Sequence, residues 1–253
     1  MASNKERLDV GLVRRGLAPT RERARALIMA GQVHIGERLV DKVGTLIPMD
    51  AECRISDLSA LKYVSRGGLK LEKALDTFQI SPEGLSAIDV GASTGGFTQC
   101  LLERGAKQVI AVDVGHGQLA WNLRNDPRVI VMERTNIRHL TELPQAVQCA
   151  VIDVSFISLR LVLPVLASLL AVGPETWIIA LVKPQFEAGK ADVDRGGGVI
   201  SDPAIHQRVL HELEAWIPEH TPFQIVEQTD SPILGRDGNK EFLFLLRFGP
   251  ASV

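Results

Sequence analysis

Two lysines and two carboxylates lie at the ends of predicted secondary-structure elements, where polar side chains could share one site. Three adjoin predicted strands and one lies in the first turn of a predicted helix; they are Lys70, Asp153, Lys183 and Glu241. In an open α/β sheet, ligands bind beyond the carboxyl ends of the parallel strands. Charges flanked by strand-forming residues are costly to bury unless they are paired. The pattern therefore predicts one shared site. Separate surface charges are the alternative, and for Lys70 a side chain that points into solvent.

This set of residues suits methyl transfer to a ribose hydroxyl. A sulfonium donor such as S-adenosylmethionine already carries an activated methyl group, so the protein must align the reactants and accept the hydroxyl proton. A lysine accepts a proton only as the neutral amine, and the reference pKa of a lysine is about 10.4. A second lysine and the exclusion of water favour the neutral amine, whereas two carboxylates oppose it. We predict Lys183 as the base. Asp153 and Lys70 would position it and the ribose, and Glu241 would hold Lys70 or the hydroxyl.

A glycine-rich turn follows the predicted strand that contains Asp89. Its pattern, Asp-x-Gly-x-x-x-Gly-Gly, is neither the dinucleotide pattern Gly-x-Gly-x-x-Gly nor a Walker A loop. Glycines allow a ligand to approach the backbone, and the start of a helix presents free N–H groups. An acid before this turn suits a ligand with an amino group, or a cation. Asp113 lies 24 positions later, close to the offset of about 20 residues of a ribose-binding acid. A nucleotide-free α/β protein, in which both acids cap loops, is the alternative.

Strands and helices alternate from Ala87 onward, which predicts a parallel sheet covered on both faces. Seven strands are predicted over residues 87–90, 108–112, 128–132, 150–153, 177–182, 223–228 and 242–247. Helices are predicted near residues 69–78, 98–104, 161–170 and 203–216. The last two strands are too close in sequence for a helical crossover, so they should pair antiparallel. The start of the last strand, with Glu241, then lies at the same sheet edge as the other strands' ends.

The first 60 residues differ from the rest in charge and pattern. Two short predicted helices precede short β-like segments, and residues 1–63 have a net charge of +3 against −5 for the remainder. Arginines crowd the two helices, and the planar guanidinium suits phosphate because it makes paired hydrogen bonds. We predict a small domain over residues 1–60, a linker over 61–64 and a larger domain over 65–253. A solvated arginine-rich surface is the alternative for the head.

Composition excludes several classes of protein. The 253 residues are 45% hydrophobic, enough for one or two globular domains. The longest apolar stretch, residues 159–172, is too short to cross a membrane, and the N-terminal residues lack a signal core. Cys53, Cys100 and Cys149 are widely spaced, which predicts free thiols in a reducing cytoplasm. The histidines show no metal spacing. We expect a cytoplasmic protein with no metal and no membrane partner; the oligomeric state stays open.

Motifs along nearly the whole chain resemble one family. Near the N-terminus, Arg7-Leu-Asp, Gly16-Leu-Ala and Gly31-x-Val resemble the S4 RNA-binding domain. The turn Asp89-x-Gly-Ala-x-x-Gly-Gly-Phe97 resembles FtsJ-type ribose 2′-O-methyltransferases. Further motifs make the chain similar to the TlyA (hemolysin A-like) family; they are Ser65-Arg-Gly-Gly-x-Lys70, Asp113-Val-Gly-x-Gly-Gln118, Asp153-Val-Ser-Phe156 and Lys183-Pro-Gln-Phe-Glu187.

The resemblance implies a class I (Rossmann-like) methyltransferase fold with a seven-stranded, mostly parallel sheet, joined to a small α+β S4-like domain. It implies S-adenosylmethionine-dependent 2′-O-methylation of cytidine in ribosomal RNA, 23S and in some members 16S, with ribosomal RNA or ribosomal subunits as partners. Lys70, Asp153, Lys183 and Glu241 become the catalytic tetrad. The implied cofactor contacts are Asp89, Gly91, Ala92, Ser93, Thr94, Gly95, Gly96, Phe97, Asp113, Thr135 and Asn136. The implied RNA contacts are Arg7, Arg14, Arg15, Arg21, Arg23, Arg25 and Arg66.

Other functions remain as alternatives at this stage. Asp153 and Phe156 are the outer residues of the Asp-Pro-Pro-Tyr/Phe motif of base N-methyltransferases, but both prolines are missing. A cytolysin or hemolysin would need an amphipathic or membrane-spanning segment, which the sequence lacks. A catalytically silent RNA-binding protein would not need the glycine turn and the tetrad. The glycine-rich stretch 192–198 is predicted as a loop, either a lid over RNA or plain surface. The modified nucleotide and the ribosomal subunit are left open.

Overall fold

The structure is a computed structural model and describes residues 5–29, 31–56, 62–235 and 237–249. The chain divides into two compact units, residues 1–68 and 69–253. The predicted linker begins at residue 61, which lies outside the described residues, and its other three residues belong to the first unit.

The first unit is a small α+β fold around an apolar cluster. Its elements are β1 (Lys5–Arg7), α1 (Leu8–Arg14), α2 (Arg21–Met29), β2 (Val33–Ile35), β3 (Arg38–Leu39), β4 (Leu46–Pro48) and β5 (Cys53–Ile55). Apolar residues at helical spacing, including Leu8, Leu12 and Ile28, are fully buried. The Thr20 hydroxyl accepts a hydrogen bond from the Arg23 backbone N–H at 3.1 Å, so Thr20 caps α2. The predicted α+β head is confirmed.

A seven-stranded sheet forms the centre of the second unit. Its strands are β6 (Ser86–Val90), β7 (Gln108–Val112), β8 (Val129–Met132), β9 (Cys149–Ile152), β10 (Trp177–Val182), β11 (Phe223–Asp230) and β12 (Phe242–Phe248). They lie in the order β11-β12-β10-β9-β6-β7-β8, and β12 is antiparallel to both of its neighbours. The mostly parallel sheet with a reversed last strand is therefore confirmed. All residues of β6, β9 and β10 are buried, because helices cover both faces of a parallel sheet.

Seven helices accompany the sheet in the described part of the chain. They are α3 (Gly67–Thr77), α4 (Gly96–Glu103), α5 (Trp121–Arg124), α6 (Leu163–Leu169), α7 (Pro184–Glu187), α8 (Lys190–Arg195) and α9 (Pro203–His220). The unit boundary falls within the first turn of α3. The prediction of a loop over residues 192–198 is wrong in its first half, because α8 continues to Arg195 before the glycines. The prediction that the last long helix ends near residue 216 is also wrong, since α9 continues through Pro218 to His220.

Candidate active site at the carboxyl edge of the sheet

Two short ion pairs occupy the carboxyl edge of the sheet. Lys183 follows β10 and Asp153 follows the adjacent β9, and the Lys183 Nζ lies 2.6 Å from the Asp153 Oδ1. Lys70 projects from α3, and its Nζ donates to the Oε2 of Glu241 at 2.6 Å. Glu241 directly precedes β12, whose reversed direction brings it to this edge. The four residues that the sequence singled out thus form two pairs, one of them across 171 positions of chain.

The two pairs act on each other electrostatically. Burial alone would raise the pKa of Asp153, but the ammonium groups of Lys183 and Lys70 hold it below its usual value. Asp153 is therefore ionised at neutral pH. The Lys70–Glu241 pair is nearly enclosed, with 8% and 2% of the two residues exposed. The Lys183 side chain is about as enclosed as that of Lys70, at 11% against 10%, whereas the Asp153 side chain keeps 22% of its surface exposed. Asp153 is therefore the member of the four that a ligand can reach most readily.

A cavity of about 830 Å³ lies in front of Asp153. This volume is in the range of about 300–1,000 Å³ that small-molecule sites occupy. Of the residues predicted to contact a cofactor, five line it; they are Gly91, Ser93, Asp113, Thr135 and Asn136. The opposite part of the lining comes from the segments after β9 and β10, including Ser155, Phe156, Gln185 and Phe186.

The glycine turn after β6 is shaped to lie against Asp153. Gly91 has a φ of +88°, and a Cβ at this position would lie 2.5 Å from the backbone oxygen of Asp153. A side chain there would therefore be strained and would collide with backbone. Gly95 has a φ of +95°, and a Cβ there would collide with the Leu123 side chain. The remaining residues predicted in this turn form its inner side: Ala92, Gly96 and Phe97 are buried, and the Thr94 carbonyl accepts from the Ala120 N–H at 3.2 Å.

Asp89 lies behind the turn rather than on the cavity wall. Its side chain is fully buried, and Oδ2 accepts a hydrogen bond from the Thr98 hydroxyl at 2.6 Å. Oδ1 has no hydrogen-bond partner among the described residues. Burial raises the pKa of Asp89 to about 7, against the hydrogen bond from Thr98, and the charges of Asp153 and Asp113 raise it further. A cationic group of a ligand would stabilise the charged form of such a buried carboxyl group, which has one oxygen free to interact with it.

Asp113 holds the turn and the next loop together. Its Oδ2 accepts from the Ser93 N–H at 2.8 Å, and its Oδ1 accepts from the Gly115 N–H at 2.6 Å. Both oxygens thus bind backbone at the cavity wall. Asn136 also has a local role, since its Oδ1 accepts from the Arg138 N–H and caps a short 3₁₀ helix, Ile137–His139. Thr135 hydrogen-bonds the carbonyl of Glu133.

Sequence reasoning missed Glu133, which organises the loop after Asp113. Its carboxylate accepts hydrogen bonds from the N–H groups of Gly117 and Gln118 at 2.8 and 3.1 Å, and it also pairs with Arg124. Burial would raise the pKa of Glu133, but these donors lower it to about 2. The available signal was its position directly after β8, the same position relative to a strand that Asp113 and Asp153 have.

Sequence reasoning also missed the roles of two residues in the motif after Asp153. The Lys183 Nζ donates to the Ser155 Oγ at 3.1 Å, so Lys183 has two acceptors. Phe156 has a φ of +64°, in the left-handed region that only glycine adopts readily, and it is 92% exposed. Its ring lies 5.0 Å from that of Phe186. Strained residues of this kind cluster at functional sites.

The arginines predicted to contact RNA all belong to residues 1–68, and four of them pair with carboxylates of the same unit. Glu6 accepts from Arg14 at 2.7 Å and from Arg15 at 2.7 Å. The buried Asp9 accepts from Arg7 and from Arg21, both at 2.9 Å. Much of the Arg7, Arg14 and Arg21 side chains nevertheless remains accessible.

Of the remaining predicted contacts, Arg25 is exposed, and Arg23 and Arg66 are half-buried. Burial lowers the pKa of Arg23. Among the described residues, no cluster of three or more His, Cys, Asp or Glu side chains could hold a metal ion. No helix within the same ranges is both long and apolar enough to span a membrane.

Comparison with known proteins identifies the two units. Residues 63–248 match the FtsJ-like methyltransferase family, and residues 6–53 match the S4 domain. The chain is 51% identical to "Putative rRNA methyltransferase YqxC" of Bacillus subtilis, over 98% of this chain and 88% of that protein. It is 45% identical to the "16S/23S rRNA (cytidine-2'-O)-methyltransferase TlyA" of Mycobacterium tuberculosis, over 97% and 91% of the two chains. The solved structure "Putative hemolysin from Streptococcus thermophilus" is 46% identical and covers 98% of this chain and 90% of its own, with a TM-score of 0.75.

Proposed function

We propose a function for this chain from one premise: it belongs to the TlyA (hemolysin A-like) family, which joins an S4 domain to an FtsJ-like methyltransferase domain. The proposed reaction is transfer of a methyl group from S-adenosylmethionine to the 2′-hydroxyl of a cytidine in ribosomal RNA, which would take place in the cytoplasm. Relatives are named for 16S and 23S RNA, and for 23S RNA alone. The observation that carries the proposal is the Lys183–Asp153 pair beside the glycine turn and the cavity.

The residues present fit S-adenosylmethionine. Gly91, Asp113 and Asn136 lie on the cavity wall, and Asp89 behind the turn is a buried carboxyl group with one oxygen that has no partner among the described residues, which suits a positively charged ligand. We assign these residues to the binding of the donor. When bound, S-adenosylmethionine supplies a methyl group that its sulfonium has already activated.

The protein itself supplies the base that takes the hydroxyl proton, and it stabilises the protonated form of that base. We assign this step to the Lys183 Nζ, which must first lose its own proton to water. After proton uptake, the ammonium is held by Asp153 at 2.6 Å and by Ser155 at 3.1 Å, the arrangement present in the structure. The Lys70 ammonium, which Glu241 holds at 2.6 Å, adds a positive charge near Asp153 and helps to keep it ionised. General-base catalysis of this kind contributes about 10²–10⁴-fold in rate.

The exposed ring of Phe156 gives the target nucleotide a surface to bind. A base taken out of its stack is commonly held against an aromatic side chain, and such stacking is worth about 1–3 kcal/mol per base. Phe156 lies three residues from Asp153 and lines the same cavity. We therefore assign Phe156 to the target base. We assign the S4 unit, with its arginines, to backbone and shape recognition of the RNA.

Substitution of Lys183 tests the mechanism. Lys183→Arg keeps the positive charge for Asp153, but a guanidinium cannot be deprotonated in proteins and so cannot act as a base. Ribosomal RNA from cells that lack the protein would be incubated with each variant and tritiated S-adenosylmethionine, and methylated riboses would be mapped. Lys183→Ala and Lys183→Arg should both lose at least about 100-fold in kcat.

Lys107→Ala is the matched control, because this exposed lysine precedes β7 at the opposite edge of the sheet. Near-normal turnover of Lys183→Arg would exclude the base role. A methyl group mapped on a base rather than on a ribose would overturn the proposed reaction. Dye leakage from liposomes, measured in parallel, would instead favour the lytic activity that the hemolysin name suggests.

A further inference from the structure

A buried asparagine links the loop that precedes Glu241 to a glycine-rich segment earlier in the chain. Asn239 lies in the loop between β11 and β12 and is 1% exposed. Its Oδ1 accepts from the backbone N–H of Ile200 at 2.9 Å, and its Nδ2 donates to the backbone oxygen of Gly198 at 3.1 Å. One side chain thus satisfies a donor and an acceptor from a segment about 40 positions earlier in the chain.

That segment, residues 196–200, is a tight glycine turn that we call the glycine strap. Gly197 and Gly198 have φ values of +60° and +94°, and a Cβ on Gly196 would collide with the backbone of Val199. The strap is anchored a second time, because His206 Nε2 hydrogen-bonds the Ile200 oxygen at 2.8 Å. The peptide groups of Ile200 are therefore held on both sides by buried side chains.

The same loop encloses Glu241. The Asn239 backbone oxygen accepts from the Gly235 N–H at 2.8 Å, which closes the loop. A Cβ on Gly235 would lie 2.5 Å from Glu241 Oε1, so this glycine packs directly on the carboxylate. The Glu241 backbone oxygen accepts from the Ser231 N–H at 2.9 Å. Asn239 therefore joins the wall around Glu241 to the glycine strap.

We propose that Asn239 is a positioning residue that fixes Glu241 against Lys70 through its hold on the glycine strap. Without its amide, the N–H of the buried Ile200 would be unpaired, which is costly, and the Gly198 oxygen would lose its partner, so the strap would separate from the loop. The loop would then no longer hold the Glu241 carboxylate in place. Asn239 contacts neither the cavity wall nor the glycine turn after β6, so donor affinity should be unaffected. The effect on turnover rests on the proposed function.

A double-mutant cycle tests this coupling. Asn239→Ala should lower kcat about tenfold in the wild-type background and less than twofold in the Glu241→Ala background. The Kd for S-adenosylmethionine, measured by calorimetry, should stay within twofold in every variant. Ser168→Ala is the control, because it removes an exposed hydroxyl bonded to the backbone of α6, away from this loop. Equal losses of kcat in both backgrounds would overturn the proposal.

Hydrogen exchange gives a readout that does not need turnover. The Ile200 amide should exchange at least tenfold faster in Asn239→Ala than in wild type and unchanged in Ser168→Ala. Unchanged exchange in Asn239→Ala would also overturn the proposal. If Asn239→Ala does not fold, Asn239→Asp carries the same cycle, since it keeps the volume and the acceptor for Ile200 but replaces the donor to Gly198 with an oxygen that repels the Gly198 carbonyl. Failure of the proposed function is distinct, because the wild-type protein itself would then transfer no methyl group.

Discussion

The buried carboxyl group of Asp89 makes stability fall as pH rises, and Asp89→Asn should abolish this fall. Burial raises the pKa of Asp89 to about 7 in the folded protein, from an ordinary value of 3.8. Between these two values the folded state keeps a proton that the unfolded state has released. The unfolded state binds fewer protons there, so the free energy of unfolding decreases with increasing pH.

The size of the effect follows from the width of this window. One pKa unit corresponds to about 1.4 kcal/mol, so a window of about three units gives about 4 kcal/mol. Asparagine has no proton to lose. Relative to wild type, Asp89→Asn should therefore gain about 4 kcal/mol between pH 4 and pH 8. A constant offset of about 1 kcal/mol against the variant is expected, because its amide can keep the hydrogen bond from Thr98 only by placing its NH₂ group in the buried space where Oδ1 has no partner among the described residues.

Urea unfolding followed by tryptophan fluorescence measures this difference. Trp121, Trp177 and Trp216 all lie within residues 69–253, so the signal reports the larger unit alone. Asp126→Asn is the control, because hydrogen bonds from Arg128 lower the pKa of Asp126 from its ordinary value of 3.8. Its titration therefore lies below pH 4, and the difference between this variant and wild type should stay constant from pH 4 to pH 8. If the difference between wild type and Asp89→Asn stays constant within 1 kcal/mol from pH 4 to pH 8, Asp89 is ionised throughout and the reasoning is refuted.

Three further predictions concern other parts of the structure. Glu133→Gln should raise the Kd for S-adenosylmethionine about tenfold and leave the KM for RNA unchanged, because the variant binds the N–H groups of Gly117 and Gln118 more weakly. Calorimetry would measure this Kd, and an unchanged value would contradict the prediction. Phe156→Ala should raise the KM for RNA about five- to tenfold in methyl-transfer assays while the Kd for the donor stays constant; equal changes in both would count against base stacking. Arginine partners lower the pKa values of Glu6 and, against burial, of Asp9 to about 2. The described residues of 5–56 should therefore lose hydrogen-exchange protection as pH falls from about 4.5 to 2. Asp9→Asn should weaken this dependence of protection on pH.

Patterns of apolar residues were enough to predict the sheet. Buried parallel strands read as continuous apolar runs, and the short connection before β12 required an antiparallel pair. The same topology predicted that Asp153 and Lys183, at the ends of adjacent strands, would lie close together. Contacts that depend on side-chain direction could not be predicted in this way. The helix α8 was missed because Lys190–Arg195 has only one strongly apolar residue, Val193, and hence no helical periodicity.

The partners of charged side chains could not be predicted from the number of charges either. A count of arginines in the first unit does not show that Glu6 and Asp9 lie among them, because this requires α1 to lie beside both β1 and α2. Nor does the sequence show that Glu133 faces a row of backbone N–H groups, which a loop supplies only once it is folded. The unusual φ of Phe156 likewise depends on neighbours that the sequence does not identify.

The carboxylates among the arginines of the first unit affect how strongly its binding to phosphate groups should depend on ionic strength. A guanidinium group that is already neutralised by Glu6 or Asp9 gathers fewer mobile ions from solution, and displaces fewer when a phosphate arrives. Its remaining N–H groups are nevertheless fixed in direction. Contacts by this unit should therefore tolerate added potassium chloride better than the number of its arginines would suggest, and should discriminate by fit rather than by attraction at a distance.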